Sequence, residues 1–133
     1  MATKPTVILD PYLLVSLYNT IPEGALSTCD NAQFALCDHL PPDEFHPAEF
    51  DRIRRVVTSE DVQLLPVDAL EVADLLHMRD VLVLHQIASI AAARSRRYLL
   101  ASNCGIFRRM ARTALGDDFV LCGLDLCQRF SLN

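Results

Sequence analysis

Two apolar runs in this chain end in residues that can do chemistry. Val7-Ile8-Leu9 closes on Asp10, and Leu99-Leu100-Ala101 closes on Ser102 and Asn103. A carboxylate at a strand tip is a candidate ligand for a metal ion, and ligands of parallel sheets bind beyond the carboxyl ends of the strands. The same residues have a plainer use. An aspartate before Pro11 is a natural helix cap, as is Ser102 or Asn103 before the helical pattern that follows. Local spacing alone favours the caps.

Positive charge is the second group with chemistry to offer. Lys4 is the only lysine, which excludes a P-loop lysine, a Schiff-base lysine and the lysine of a phosphorylation-receiver domain. The arginines cluster as Arg52/Arg54/Arg55, Arg94/Arg96/Arg97 and Arg108/Arg109/Arg112. They fit either solvated helix faces and helix ends or a surface that grips phosphates, which guanidinium forks suit. The formal net charge of −5 argues against a general nucleic-acid binder, and no signal points to DNA. The five cysteines are odd in number and lack C-x-x-C spacing, as expected of reduced thiols in a cytoplasmic protein. The MATKPT start lacks a signal peptide's basic and apolar regions, and no apolar stretch is long enough to span a bilayer.

The elements that must position these groups follow from the hydrophobic pattern. Strands are expected at 6–10, 62–65, 98–101 and 119–122, and helices at 11–19, 30–40, 47–57, 68–76, 80–97 and 104–115, with a short helix after Gly123. The prolines between 41 and 47 mark a break. Short apolar runs alternating with helices, without hairpin signals, predict an α/β three-layer sandwich with a central, mostly parallel four- to five-stranded sheet. At 133 residues this is one domain, 1–133.

In this order the segments resemble the PIN-domain family, the fold of VapC-type toxin ribonucleases. VILDPYLLVSLY (7–18) looks like its first strand, acidic tip and following helix. VQLLPVDALEVADLL (62–76) resembles its strand, proline-valine-aspartate turn and helix. The fullest match is LHQIASIAAARSRRYLLASNCGIFRRMA (84–111), where the family has an aspartate-bearing helix, small alanines, a strand, and a polar strand end closing on phenylalanine.

The resemblance places His85 at the helix aspartate and Asn103 at the strand-end acid, while Asp10 matches directly. Ala35 falls at the family's helix glutamate, unless Asp30 or Asp38 substitutes through a shift of register. It therefore implies a catalytic and metal-binding set of Asp10, His85 and Asn103 for Mg²⁺ or Mn²⁺, with Arg94, Arg96, Arg97, Arg108 and Arg109 holding RNA. One carboxylate, one imidazole and one amide make a poor magnesium site. Three functions stay open: an acid-depleted relative that binds RNA or a partner with activity weak or lost, an active endoribonuclease toxin, and an unrelated α/β domain in which Asp10 and Asn103 are caps only. A small antitoxin and a homodimer are the partners the family implies.

Overall fold

The computed structural model describes residues 4–132. Met1, Ala2 and Thr3, which open the stretch whose composition argues against a signal peptide, lie outside the described residues with Asn133.

The chain runs β1 (Thr6–Leu9), α1 (Pro11–Leu17), β2 (Gln33–Cys37), a 3₁₀ turn (Pro42–Glu44), α2 (Pro47–Thr58), β3 (Gln63–Leu65) and α3 (Ala69–Val72). A 3₁₀ stretch (Ala73–Asp80) leads to α4 (Leu84–Arg96), β4 (Leu99–Ala101), α5 (Gly105–Leu115), a second 3₁₀ turn (Asp117–Phe119), β5 (Val120–Leu121) and α6 (Gly123–Phe130). The five strands form one sheet in the order β3-β2-β1-β4-β5, and every pair is parallel.

Strand alternation sends successive side chains to opposite faces. Val7, Leu9, Phe34 and Leu36 enter one core with Leu14, Ile53, Val56, Leu126 and Phe130 from α1, α2 and α6. Ile8, Ala35, Cys37 and Leu100 enter the other with Val72, Ile87, Ile90, Phe107 and Ala111 from α3, α4 and α5. Because both faces are covered, the strands read as unbroken apolar runs. The result is the predicted three-layer α/β sandwich, with five strands, all parallel.

The segment expected to be a helix at 30–40 is instead β2, beside β1 near the centre of the sheet. Phe34-Ala35-Leu36-Cys37 is apolar on both faces, and periodicity cannot separate such a run from a buried helix. Ala35 is fully buried mid-strand, so it occupies no helix position. The expected helix at 68–76 is only one turn of α-helix, continued as 3₁₀, and α4 begins at Leu84 rather than Asp80.

Candidate functional site

Asp10 and Ser102 meet because their strands do. Leu9 pairs with Ala101, and the Asp10 N–H donates to the Ala101 carbonyl at 2.9 Å, so the next residues of β1 and β4 leave the sheet side by side. Asp10 is buried. Its Oδ1 accepts from the Tyr12 N–H at 3.1 Å and caps α1, with Pro11 at the first helical position. Its Oδ2 accepts from the Ser102 hydroxyl at 2.6 Å. Ser102 is fully buried and also accepts from the Cys104 N–H at 3.0 Å. Asp10 is thus a cap and one end of a buried polar chain.

Asn103 stands on the same rim. Its Oδ1 accepts from the Gly123 N–H at 2.7 Å, tying the β4–α5 turn to the start of α6. An N–H bonds only to an acceptor, so the amide's NH₂ is the end left to face outward. Asp10, Tyr12, Leu13, Ser16, Gln86, Asn103 and Cys104 line one hollow of about 220 Å³.

His85 sits in the first turn of α4, buried, with a Nε2 that has no hydrogen-bond partner among the described residues. Ser89 does hydrogen-bond to His85, but to its backbone carbonyl, at 2.9 Å. Burial pushes the imidazole below its ordinary range, partly opposed by the charges of Asp10 and Glu44. The ring lies 6.1 Å from that of Tyr12, centroid to centroid. His85 lines a second hollow of about 330 Å³ with His39, Leu40, Pro41, Glu44, Val83 and Leu84.

Glu44 is the acid that sequence reasoning missed. It accepts a hydrogen bond from the Tyr12 hydroxyl, which burial and this carboxylate hold un-ionised up to about pH 12. The signal was present but masked. With 33–37 recognised as a strand, the connection after it must pass the carboxyl ends of the sheet, and Glu44 lies on that connection. Of the alternatives to Ala35, Asp38 accepts from the Val67 N–H at 3.2 Å and lies 3.6 Å from the His39 ring. Asp30 precedes β2, at the other end of the sheet.

The arginines divide by topology. Arg94, Arg96 and Arg97 immediately precede β4, so they lie at the amino ends of the strands. His85 precedes Arg96 by eleven residues on the same helix, about 16 Å along its axis. Arg94 pairs with Asp74 at 2.7 Å, Arg96 with Glu71 at 2.8 Å, and Arg97 caps α4 with its guanidinium 5.7 Å from the Phe119 ring centre. This cluster does not share a cleft with Asp10. Arg108 and Arg109 are in the first turns of α5, which starts at the carboxyl ends, and the Nε of Arg108 is buried without a partner among the described residues.

A hard divalent ion needs several free oxygens. Among the described residues no group of three or more histidine, cysteine or acidic side chains is gathered to hold an ion. Both oxygens of Asp10 and the oxygen of Asn103 already accept hydrogen bonds, and the Nε2 of His85 is sealed from solvent. As arranged, these residues do not fit Mg²⁺ or Mn²⁺. What they offer is a small, mostly apolar hollow with amide donors on its rim and an aromatic ring at its edge.

No protein-family model matches the chain, and no curated protein matches its sequence. Among solved structures it is similar to the crystal structure of PAE2754 from Pyrobaculum aerophilum. The TM-score is 0.59 at 14% sequence identity, over 97% of this chain and 91% of that one. At that identity the likeness establishes the α/β fold alone. No helix among the described residues is long and apolar enough to cross a membrane.

Proposed function

We propose that this chain is a PIN-like, VapC-like protein related to metal-dependent endoribonucleases, in which cleavage is weak or lost and binding of RNA or a partner is kept. The observation that carries this reading is the state of the strand-end polar groups. Asp10 and Asn103 stand together beyond β1 and β4, where the family resemblance puts a metal site, yet their oxygens are spent on Tyr12, Ser102 and Gly123. Arg108 and Arg109, on the helix that leaves this end of the sheet, supply the cations for an RNA backbone. Free thiols throughout the described residues suit a reducing cytoplasm. Exposed Val81, Val83 and Leu84 beside His85 offer a surface for a second copy or a small antitoxin.

A second reading, an active Mg²⁺- or Mn²⁺-dependent endoribonuclease toxin, draws on Glu44. This carboxylate stands on the same side of the sheet as Asp10, and its charge reaches His85.

One experiment separates the two. A labelled single-stranded oligoribonucleotide is titrated with protein in EDTA, then incubated with millimolar Mg²⁺ or Mn²⁺ and examined for cleavage. Binding in EDTA without cleavage supports the first reading. Cleavage that needs metal and disappears in Asp10→Ala supports the second. Absence of binding under both conditions sinks the RNA reading.

A further inference from the structure

We propose that Tyr12 is a stacking platform for one nucleobase of single-stranded RNA, with the amide groups of Asn103 and Gln86 meeting the edge of that base. This rests on the RNA-binding reading above and names the subsite it would use.

Tyr12 lies in the first turn of a helix whose neighbouring residues Pro11, Leu13 and Leu14 are buried, yet it is itself 43% exposed. It is not loose. Its ring packs on Phe45 with centroids 4.6 Å apart, and Phe45 packs on Phe50 at 6.5 Å. The far end of the side chain is held by the bond from its hydroxyl to Glu44. An exposed ring fixed along its flank and at its tip has already lost its rotamer freedom, so a flat ligand laid on it incurs little further ordering cost. With Phe45 and, 6.1 Å away, the His85 imidazole as neighbours, the ring belongs to a short aromatic row and lines the hollow beyond the strand ends.

The hollow beside it suits a base better than a phosphate. Its volume of about 220 Å³ holds one planar ring system rather than a whole nucleotide. Asp10 lines it and Glu44 flanks it, so a phosphate there would meet like charge. The amide oxygens point away from a ligand: that of Asn103 accepts from Gly123 and that of Gln86 from the Val83 N–H at 3.1 Å. Two NH₂ groups are left to donate, and every nucleobase carries acceptors on its edges. The strand's phosphates would then run over the start of α5, where Arg108 and Arg109 stand.

The test uses a fluorescently labelled eight-nucleotide single-stranded RNA, followed by anisotropy in EDTA, with wild-type protein, Tyr12→Phe and Tyr12→Ala. Stacking on one aromatic ring predicts a loss of roughly five- to 150-fold in affinity for Tyr12→Ala. Tyr12→Phe, which keeps the ring and its packing on Phe45 but not the tether to Glu44, loses much less affinity than Tyr12→Ala. If wild type binds and Tyr12→Ala binds equally well, the platform is wrong and RNA binding stands. If wild type does not bind, both fall. An equal loss for an oligomer lacking bases also overturns the proposal, because the contact is then not with a base. Should Tyr12→Ala not fold, the wild-type protein still decides: saturating RNA must move the Tyr12 ring proton resonances upfield, and unmoved signals overturn stacking.

Discussion

Replacing Asp10 separates a carboxylate that holds the fold from one that waits for an ion. In Asp10→Ala the Tyr12 N–H loses its cap, costing about 1 kcal/mol. The fully buried Ser102 hydroxyl loses its acceptor, costing a further 1–3 kcal/mol or so. The total is roughly 2–4 kcal/mol, partly offset because a buried charge is removed with it. Asp10→Asn keeps the cap, since an amide oxygen accepts as well as a carboxylate oxygen. Its NH₂ group then faces the Ser102 oxygen, which already accepts from Cys104, and the serine O–H is left without an acceptor. That costs about 1–2 kcal/mol. Urea denaturation at neutral pH, with a thermal melt beside it, reads both variants. At about 3–5 °C per kcal/mol for a chain of this size, Asp10→Ala melts roughly 6–20 °C lower and Asp10→Asn roughly 3–10 °C lower. The sign for asparagine is the decisive result. An acid held near Glu44 in a protein of net charge −5, and kept for a cation, would be relieved by neutralisation. If Asp10→Asn is as stable as wild type or more so, the structural account of Asp10 is wrong.

Four further outcomes follow, the last two resting on the proposed RNA binding. His85 has its protonation depressed by burial, so its contribution is present above its ordinary value of 6.5 and is lost as pH falls through its lower folded-state value. The urea midpoint of wild type should therefore drop on acidification by more than that of His85→Leu. Gly123→Ala would bring a Cβ to 2.9 Å from both the Asn103 Oδ1 and the Leu13 Cδ1. A loss of about 1–3 kcal/mol is expected in urea, with displaced Asn103 side-chain amide resonances. Arg94→Ala and Arg96→Ala each break a partly exposed ion pair worth at most about 1 kcal/mol, and should leave RNA affinity unchanged. Arg108→Ala and Arg109→Ala should lower that affinity and flatten its salt dependence, read by anisotropy at several salt concentrations.

The sandwich was legible because its strands are apolar runs of the right length, bounded by prolines, glycines and polar ends. β2 was not, because a strand covered on both faces loses the alternation that identifies strands. That one element also hid Glu44: an acid after a helix lies anywhere, whereas an acid after a parallel strand lies at the ligand end of the sheet. The arginines show the opposite limit. Their clustering was plain in the sequence, but only the pairing of β4 with β1 shows that Arg94, Arg96 and Arg97 stand at the far end from Asp10. The bonds that occupy the Asp10 and Asn103 oxygens lay beyond any pattern, since they depend on where Ser102 and Gly123 come to rest.

If the PIN-like reading proposed above holds, those bonds bear on how such a site does without an ion. Carboxylates that share a cation are left unsatisfied without it, which costs stability whenever the ion is absent. Here each polar group at the strand ends has a partner of its own: Asp10 has Tyr12 and Ser102, Asn103 has Gly123, and Glu44 has Tyr12. On that reading the Asn103 amide, standing where the family has an acid, removes one repulsion, and it supplies the acceptor that the start of α6 uses. On the same reading His85 stands where the family has another acid, and burial disfavours its charged form. Each such change would exchange affinity for a cation for stability without one. The exceptions among the described residues are the Nε2 of His85 and the Nε of Arg108, buried without partners, and it is the burial of the imidazole that makes acid unfavourable to the fold.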